Sequence, residues 1–243
     1  MLTRAAAAPV CFPLLRPVCR AFHAPRARHG RQDGPRTEGT HRMKLSTQSL
    51  DRLPETVARP RYDRSGLTPG ILHIGVGNFH RAHQAWYTHR LMQDGAARDW
   101  AIIGAGVRPY DADLREKLLA QDGLTTLIEL DPAGVSAEVI GAMIDYLPIA
   151  EGNGPLIDGI ADPAIRIVSL TVTEGGYYRN AGSGGFDADH PDIRHDAVHR
   201  DRPVTAFGAI VAALGRRRAA GIGPLTLLSC DNLQGNGDIL RRT

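Results

Sequence analysis

An apolar run, Ile71-Leu72-His73-Ile74, stops at Gly75-Val76-Gly77, and a stretch with helical spacing follows at once. A strand, a glycine turn and a helix start in that order present backbone N–H groups and a positive helix end to a pyrophosphate. Gly75 suits the tight turn, and Gly77 lets the backbone come close to phosphate oxygens. His80 stands where the pattern G-x-G-x-x-G expects a third glycine, so the motif alone leaves an ordinary strand–turn–helix open. An acidic residue past the second strand would hold the ribose hydroxyls of NAD. Asp111 is that candidate, with Asp99 closer to the usual spacing but at the strand's start. Asp111 can equally cap the helix it begins. Arg108, beside it, would suit the 2′-phosphate of NADP; NAD is the preferred reading.

Two further strand ends carry polar residues. One runs into Thr173-Glu174-Gly175-Gly176, the other into Asp231-Asn232. Ligands of doubly wound sheets sit outside the carboxyl ends of strands, where such side chains can face a nicotinamide. Helix capping is the competing role for Asp231 and Asn232. His80 and His83 are three apart on one predicted helix, with His89 further along. A metal site would need a third ligand or an H-E-x-x-H pattern, and neither is evident. His80 and Arg81 are expected to face the ligand crevice or pack the turn.

The elements that must position these residues read as alternating strands and helices. Strands are expected over residues 71–75, 100–107, 165–172 and 225–230. Helices are expected over 78–92, 111–121, 155–160 and 204–220, with a further start from residue 236. Residues 54–70 read as an extended lead-in. Residues 125–130 and 135–147, around Asp131-Pro132-Ala133-Gly134, read as a β-hairpin inserted beside the main sheet. Residues 175–201 read as a long loop rich in Gly, Asp and His. Strands that are apolar throughout imply a mostly parallel sheet covered on both faces, an α/β doubly wound fold.

Composition narrows the classes. The chain has 243 residues and a formal charge of +3. Residues 1–42 carry eight Arg and two acidic residues, and the remainder is net −3. A mildly acidic body gives no footprint for nucleic acid. No apolar run reaches the roughly 18 residues of a membrane span. Cys11, Cys19 and Cys230 are too few for a disulfide framework and fit a reducing cytoplasm. Cys230 is expected to be a small buried side chain. Residues 1–42 are read as a disordered leader or a misassigned start, with Met43 the beginning of the domain. A mitochondrial transit peptide is the alternative, which five prolines disfavour.

Taken together, the stretches HIGVGNFHRAHQAWYT, QDGLTTLIEL, IRIVSLTVTEGGY, HPDIRHD and SCDNLQGNG resemble the polyol-specific long-chain dehydrogenases, the mannitol dehydrogenase and fructuronate reductase group. The resemblance spans residues 43–243. It implies a Rossmann-type domain followed in the family by a helical C-terminal domain, usually in a monomer. It also implies hydride exchange between NAD(P) and a polyol or hexuronate, without metal. The glycine turn with Asn78, Phe79 and His80 would belong to the coenzyme site, because the family pattern is G-x-G-x-F-H. Asp111 would contact the ribose, and Asn232 would stabilise the substrate oxygen. The family's general base is a Lys of the C-terminal domain, which this chain is expected to lack. Its only lysines are Lys44 and Lys117.

Overall fold

The structure, a computed structural model, describes residues 43–180 and 182–243. The expectations for residues 1–42, Cys11 and Cys19 included, lie outside the described residues. Two sheets organise the rest. The main sheet holds β2 (Pro69–Ile74), β3 (Ala101–Ala105), β6 (Met143–Tyr146), β7 (Ile167–Leu170) and β8 (Thr226–Ser229) in the order β6-β3-β2-β7-β8. Every pairing in it is parallel. The chain starts at the centre, builds to one side through β3 and β6, then returns to the other through β7 and β8. That reversal puts a topological switch point between β2 and β7. A smaller sheet, β1-β5-β4, joins the antiparallel hairpin of β4 (Thr125–Asp131) and β5 (Gly134–Ile140) to β1 (Val57–Ala58).

Side chains alternate across each strand, so Leu72 and Ile74 face one way and Ile71 and His73 the other. On the first face Leu72, Ile74, Val168 and Leu170 pack with α4 (Gly154–Ala161) and α6 (Ala206–Ala219), through Ile157, Ile160, Ala209 and Ile210. On the second face Ile71 and Ile102 pack with Ala85 and Met92 of α2 (Gln84–Gln93) and with Leu118 of α3 (Asp111–Leu119). Among the described residues no helix covers this second face over β8, where Leu228 remains 40% exposed.

Three expectations need correction. The single helix over 78–92 is two helices, α1 (Asn78–Ala82) and α2, broken at His83 with φ −120° and ψ −84°. His80 is buried and His83 exposed, and both border one cavity on the α2 side. The hairpin arm over 135–147 is two strands. β5 ends at Ile140, and β6 joins the main sheet beside β3. The chain squeezes through at Gly141, where a Cβ would lie 2.8 Å from the Pro60 ring. The long loop over 175–201 contains α5 (Pro191–Val198), with proline in its first turn and the His190 ring accepting from the Asp192 N–H. The helix expected from residue 236 is present as α7 (Asn236–Arg242).

Candidate functional site

A cleft of about 440 Å³ opens at the switch point. Residues 74–77 form one wall and residues 171–173 with Gly175 and Gly176 the facing one, with Arg108, Asp111 and Thr205 at the ends. Gly75 has φ +92°, and a Cβ there would sit 2.2 Å from the Thr171 carbonyl oxygen, so only glycine fits. Its N–H donates to the Ala105 carbonyl at 2.9 Å, tying the turn to β3. Gly77 is the N-cap of α1. A Cβ there would meet nothing closer than the Gly75 oxygen at 3.8 Å, so the cleft side of Gly77 is open. No side chain caps the first amides of α1. A glycine turn leading into a helix start that no side chain caps, opening on a crevice between parallel strands, fits the pyrophosphate of a dinucleotide.

The turn is held from beneath by a buried polar network that interrupts the apolar strands. His73 Nδ1 lies 2.8 Å from Ser169 Oγ, and Nε2 lies 2.9 Å from Thr171 Oγ1. The Thr171 hydroxyl donates to the Gly75 carbonyl at 2.6 Å. Ser169 in turn meets Gln84 Oε1 at 2.9 Å, which reaches α2. His80 stacks on His73 with ring centroids 3.6 Å apart and 11° between the planes. Burial pushes the His73 imidazole down to about 3. Burial, then the neighbouring His73 and Arg81, hold His80 well below its usual value. Both rings are therefore neutral at pH 7. His80 replaces the third glycine by packing: it fills the space under the turn with a flat ring. Neither His80 nitrogen has a hydrogen-bond partner among the described residues. No cluster of three metal-ligating side chains occurs among those residues either.

At the β3 end, one Asp111 oxygen accepts from the N–H groups of Val107 and Arg108, both at 3.0 Å. Asp111 thus shapes the turn that bounds the cleft while lining it. Asp99 is elsewhere, at the start of β3 and paired with Arg166 at 2.9 Å. The exposed Arg108 side chain reaches the Tyr178 hydroxyl at 3.5 Å. Tyr178 donates to Asp192 at 3.0 Å, and burial pushes its phenol up to about 12.

At the β7 end, Thr173 lines the cleft, and a short 3₁₀ turn, Glu174–Tyr177, follows, lining it with Gly175 and Gly176 but not with Glu174. Asp231 does not line the cleft. Its carboxylate accepts from the N–H groups of Val172 (3.2 Å) and Thr173 (2.9 Å) and from the Tyr177 hydroxyl (2.7 Å). Asn232 is exposed beyond β8 and is not among the cleft residues. Phe79 and His80 border a second cavity of about 480 Å³ on the α2 side, together with Tyr87, Leu228 and Cys230. Asn78 is exposed, its side chain bonded to Arg81. Cys230 is half-buried, and burial raises its thiol. Thr171, Tyr178 and Thr205 are cleft residues that motif reading passes over. Thr205 carried a signal, since it is a threonine immediately before an apolar helix, and it does cap α6 through the Gly208 N–H. Thr171 carried none: its role depends on the pairing of β2 with β7.

Residues 69–243 match the profile of the Mannitol dehydrogenase Rossmann domain. Mannitol 2-dehydrogenase of Cereibacter sphaeroides is 62% identical over 189 residues, covering 78% of this chain and 39% of that protein. Mannitol 2-dehydrogenase of Phaeosphaeria nodorum is 45% identical, covering 82% of this chain and 35% of that one. Among solved structures, the Pseudomonas fluorescens mannitol 2-dehydrogenase ternary complex with NAD and D-mannitol superimposes with a TM-score of 0.78 at 48% identity, covering 82% of this chain and 41% of that one. The chain thus spans about two fifths of the length of these relatives. With a glycine turn at the switch point of a parallel sheet and this match over its globular body, the chain belongs to the mannitol dehydrogenase family, of which it carries the Rossmann domain.

Proposed function

We infer that this chain is the coenzyme-binding part of an NAD-dependent polyol dehydrogenase, one that interconverts a polyol such as D-mannitol and a ketose such as D-fructose. One observation carries the reading: the Gly75–Gly77 turn opens on the cleft between β2 and β7, and no side chain caps the start of α1, which leaves that helix end open to an anion. The NAD and D-mannitol in the P. fluorescens relative support the same assignment. In this reading Gly75, Gly77 and the start of α1, with Asn78, Phe79 and His80, bind and shape the phosphate site. Asp111 holds the ribose, with Arg108 beside it. Thr173 borders the nicotinamide half, with Glu174 and Asp231 behind it. A bound nicotinamide supplies the hydride acceptor. Asn232 donates an amide N–H to the substrate oxygen as charge develops on it. The proton of the substrate hydroxyl needs a base. Lys44 and Lys117 are the only lysines, and neither lines the cleft. The family resemblance implies a lysine as that base, and neither lysine stands at the cleft, so the chain as given is expected to bind coenzyme without turnover. We place the protein in the cytoplasm as a monomer of the full-length family type. Among the described residues no helix is long and apolar enough to cross a membrane.

A second reading, a noncatalytic nucleotide-binding chain, is supported by the same lysine inventory. Fluorescence titration with NADH and NADPH, run beside a mannitol oxidation assay, tests both readings. NADH binding without turnover is expected. Turnover above a no-enzyme control would overturn the missing-base argument. A strong NADPH preference would move the ribose assignment from Asp111 to Arg108.

A further inference from the structure

Thr173 sits at the exit of β7 with φ +65° and ψ 170°. That region of backbone space belongs to glycine, and a β-branched residue is least suited to it. The sequence has glycine available nearby, in Gly175 and Gly176, yet threonine occupies the strained position. Something must hold it there. The Asp231 carboxylate does so: one oxygen takes the Thr173 N–H at 2.9 Å, and the other takes the Val172 N–H at 3.2 Å. The Tyr177 hydroxyl gives its single proton to the same carboxylate at 2.7 Å, so the Ser229 hydroxyl at 2.6 Å must donate to the tyrosine oxygen. Burial pushes the Tyr177 phenol well above its usual value, which keeps it a donor at neutral pH. The Asn236 amide braces the other side, donating to the main-chain carbonyls of Ser229 (3.2 Å) and Asp231 (3.1 Å). The turn is closed by the Gly176 N–H on the Thr173 carbonyl at 3.1 Å. Three of the carboxylate's roughly four acceptor sites are thereby spent on this chain's own donors.

We propose that Asp231 is a positioning residue: it clamps Thr173 in a glycine-only backbone state, and the clamped turn forms the cleft wall against which the nicotinamide half of a dinucleotide packs. The inference rests on the dinucleotide reading above and replaces direct contact by Asp231 with action through Thr173. The adenosine half, on Gly75, Gly77 and Asp111, is independent of the clamp. An amide in place of the carboxylate offers one acceptor oxygen and turns an N–H donor towards the loop, which releases Thr173.

The test compares NADH and ADP affinities of the full chain, with variants Asp231→Asn, Thr173→Gly and the double variant. Asp231→Asn should weaken NADH at least tenfold and ADP less than twofold. Adding Thr173→Gly to Asp231→Asn should recover threefold or more of that loss, because glycine adopts the turn without a clamp. Thr173→Gly alone should raise the melting temperature. Unchanged NADH affinity in Asp231→Asn, equal losses for NADH and ADP, or recovery below threefold would overturn the proposal. Should Asp231→Asn fail to fold, Tyr177→Phe removes one strut only. It should weaken NADH two- to fivefold and spare ADP, and equal losses would again overturn the clamp. If the unaltered chain binds neither NADH nor ADP, the dinucleotide reading fails by itself. The clamp is then judged by hydrogen exchange at the Thr173 amide, at least 100-fold faster in the loosened variant if the clamp is real and equal in both if it is not.

Discussion

Gly75 and Gly77 stand two residues apart under different constraints. Gly75 is fixed by its backbone: alanine there would meet φ +92° and the Thr171 oxygen together. Gly75→Ala is expected to cost about 2–4 kcal/mol and to abolish nucleotide binding, read as a lower melting temperature and a lost NADH titration. Gly77→Ala adds a methyl to open cleft, so the melt should hold within a few degrees while NADH binding weakens. The stacked imidazoles give a second prediction. Folding holds His73 near 3, against about 6.5 when unfolded. Between those values the unfolded chain carries the extra proton, so the stabilisation is complete above pH 6.5 and drains away as pH falls. His73 contributes about 1.4 kcal/mol per pH unit to that loss, and His80 acts in the same direction. Urea midpoints should hold above about pH 6.5 and fall steadily from there to pH 5; a flat profile throughout would mean that the rings are not buried neutral. The glycines and Asp111 were legible because their chemistry is local. His80 was legible as a departure from the glycine motif and as the histidine of the family pattern, but not as a packing residue, since its partner His73 stacks on it across the turn and no spacing rule reports that.

At the scale of elements, the strands and the long helices followed from apolar periodicity, and the misses have one cause. Periodicity reports a repeating face and is blind to a single residue that bends the chain. His83 breaks a helix whose apolar spacing continues across it, and Gly141 passes the chain from one sheet to the next inside an unbroken β-like run. α5 escaped notice because half of its eight residues are polar and its one buried residue is a carboxylate, Asp196, its anchor. That carboxylate accepts from the N–H groups of Val204 (2.7 Å) and Thr205 (3.0 Å) and from the Thr205 hydroxyl (2.7 Å), docking α5 on the start of α6 at the edge of the cleft. Asp196→Ala leaves three donors without an acceptor and is expected to cost about 2–4 kcal/mol, or roughly 5–15 °C in the melt. His195→Ala, which removes only the outer, partly exposed partner at 3.1 Å, should shift the melt by no more than a degree or two. If the two variants melt alike, the anchor lies elsewhere.

At the scale of the whole molecule, a parallel sheet is stable with both faces covered, because its strands are apolar on both sides. Here the first face is closed by α4 and α6, and the second is closed by α2 and α3 only as far as β7, where Ser169 meets Gln84 of α2. Over β8 the described residues leave an apolar strip: Phe79 is 53% exposed, Tyr87 58% and Leu91 52%, with Leu228 beside them across the 480 Å³ cavity. Composition hid this, since a chain with 42% hydrophobic residues and a formal charge of only +3 reads as an ordinary folded body. Only the strand order shows which apolar residues lack a helix above them. Scattered apolar residues are normal on a surface, but a contiguous strip around a cavity attracts apolar probes and other copies of the chain. The purified chain should therefore enhance ANS fluorescence while still melting cooperatively, and should self-associate as concentration rises. Leu91→Gln combined with Leu228→Gln, both at exposed positions, should cut the ANS signal by at least half and leave the melting temperature within about 2 °C. Light scattering against concentration should flatten in the same variant. An ANS signal that survives both substitutions would place the exposed apolar surface elsewhere, and the incomplete covering of β8 would then have no consequence in solution.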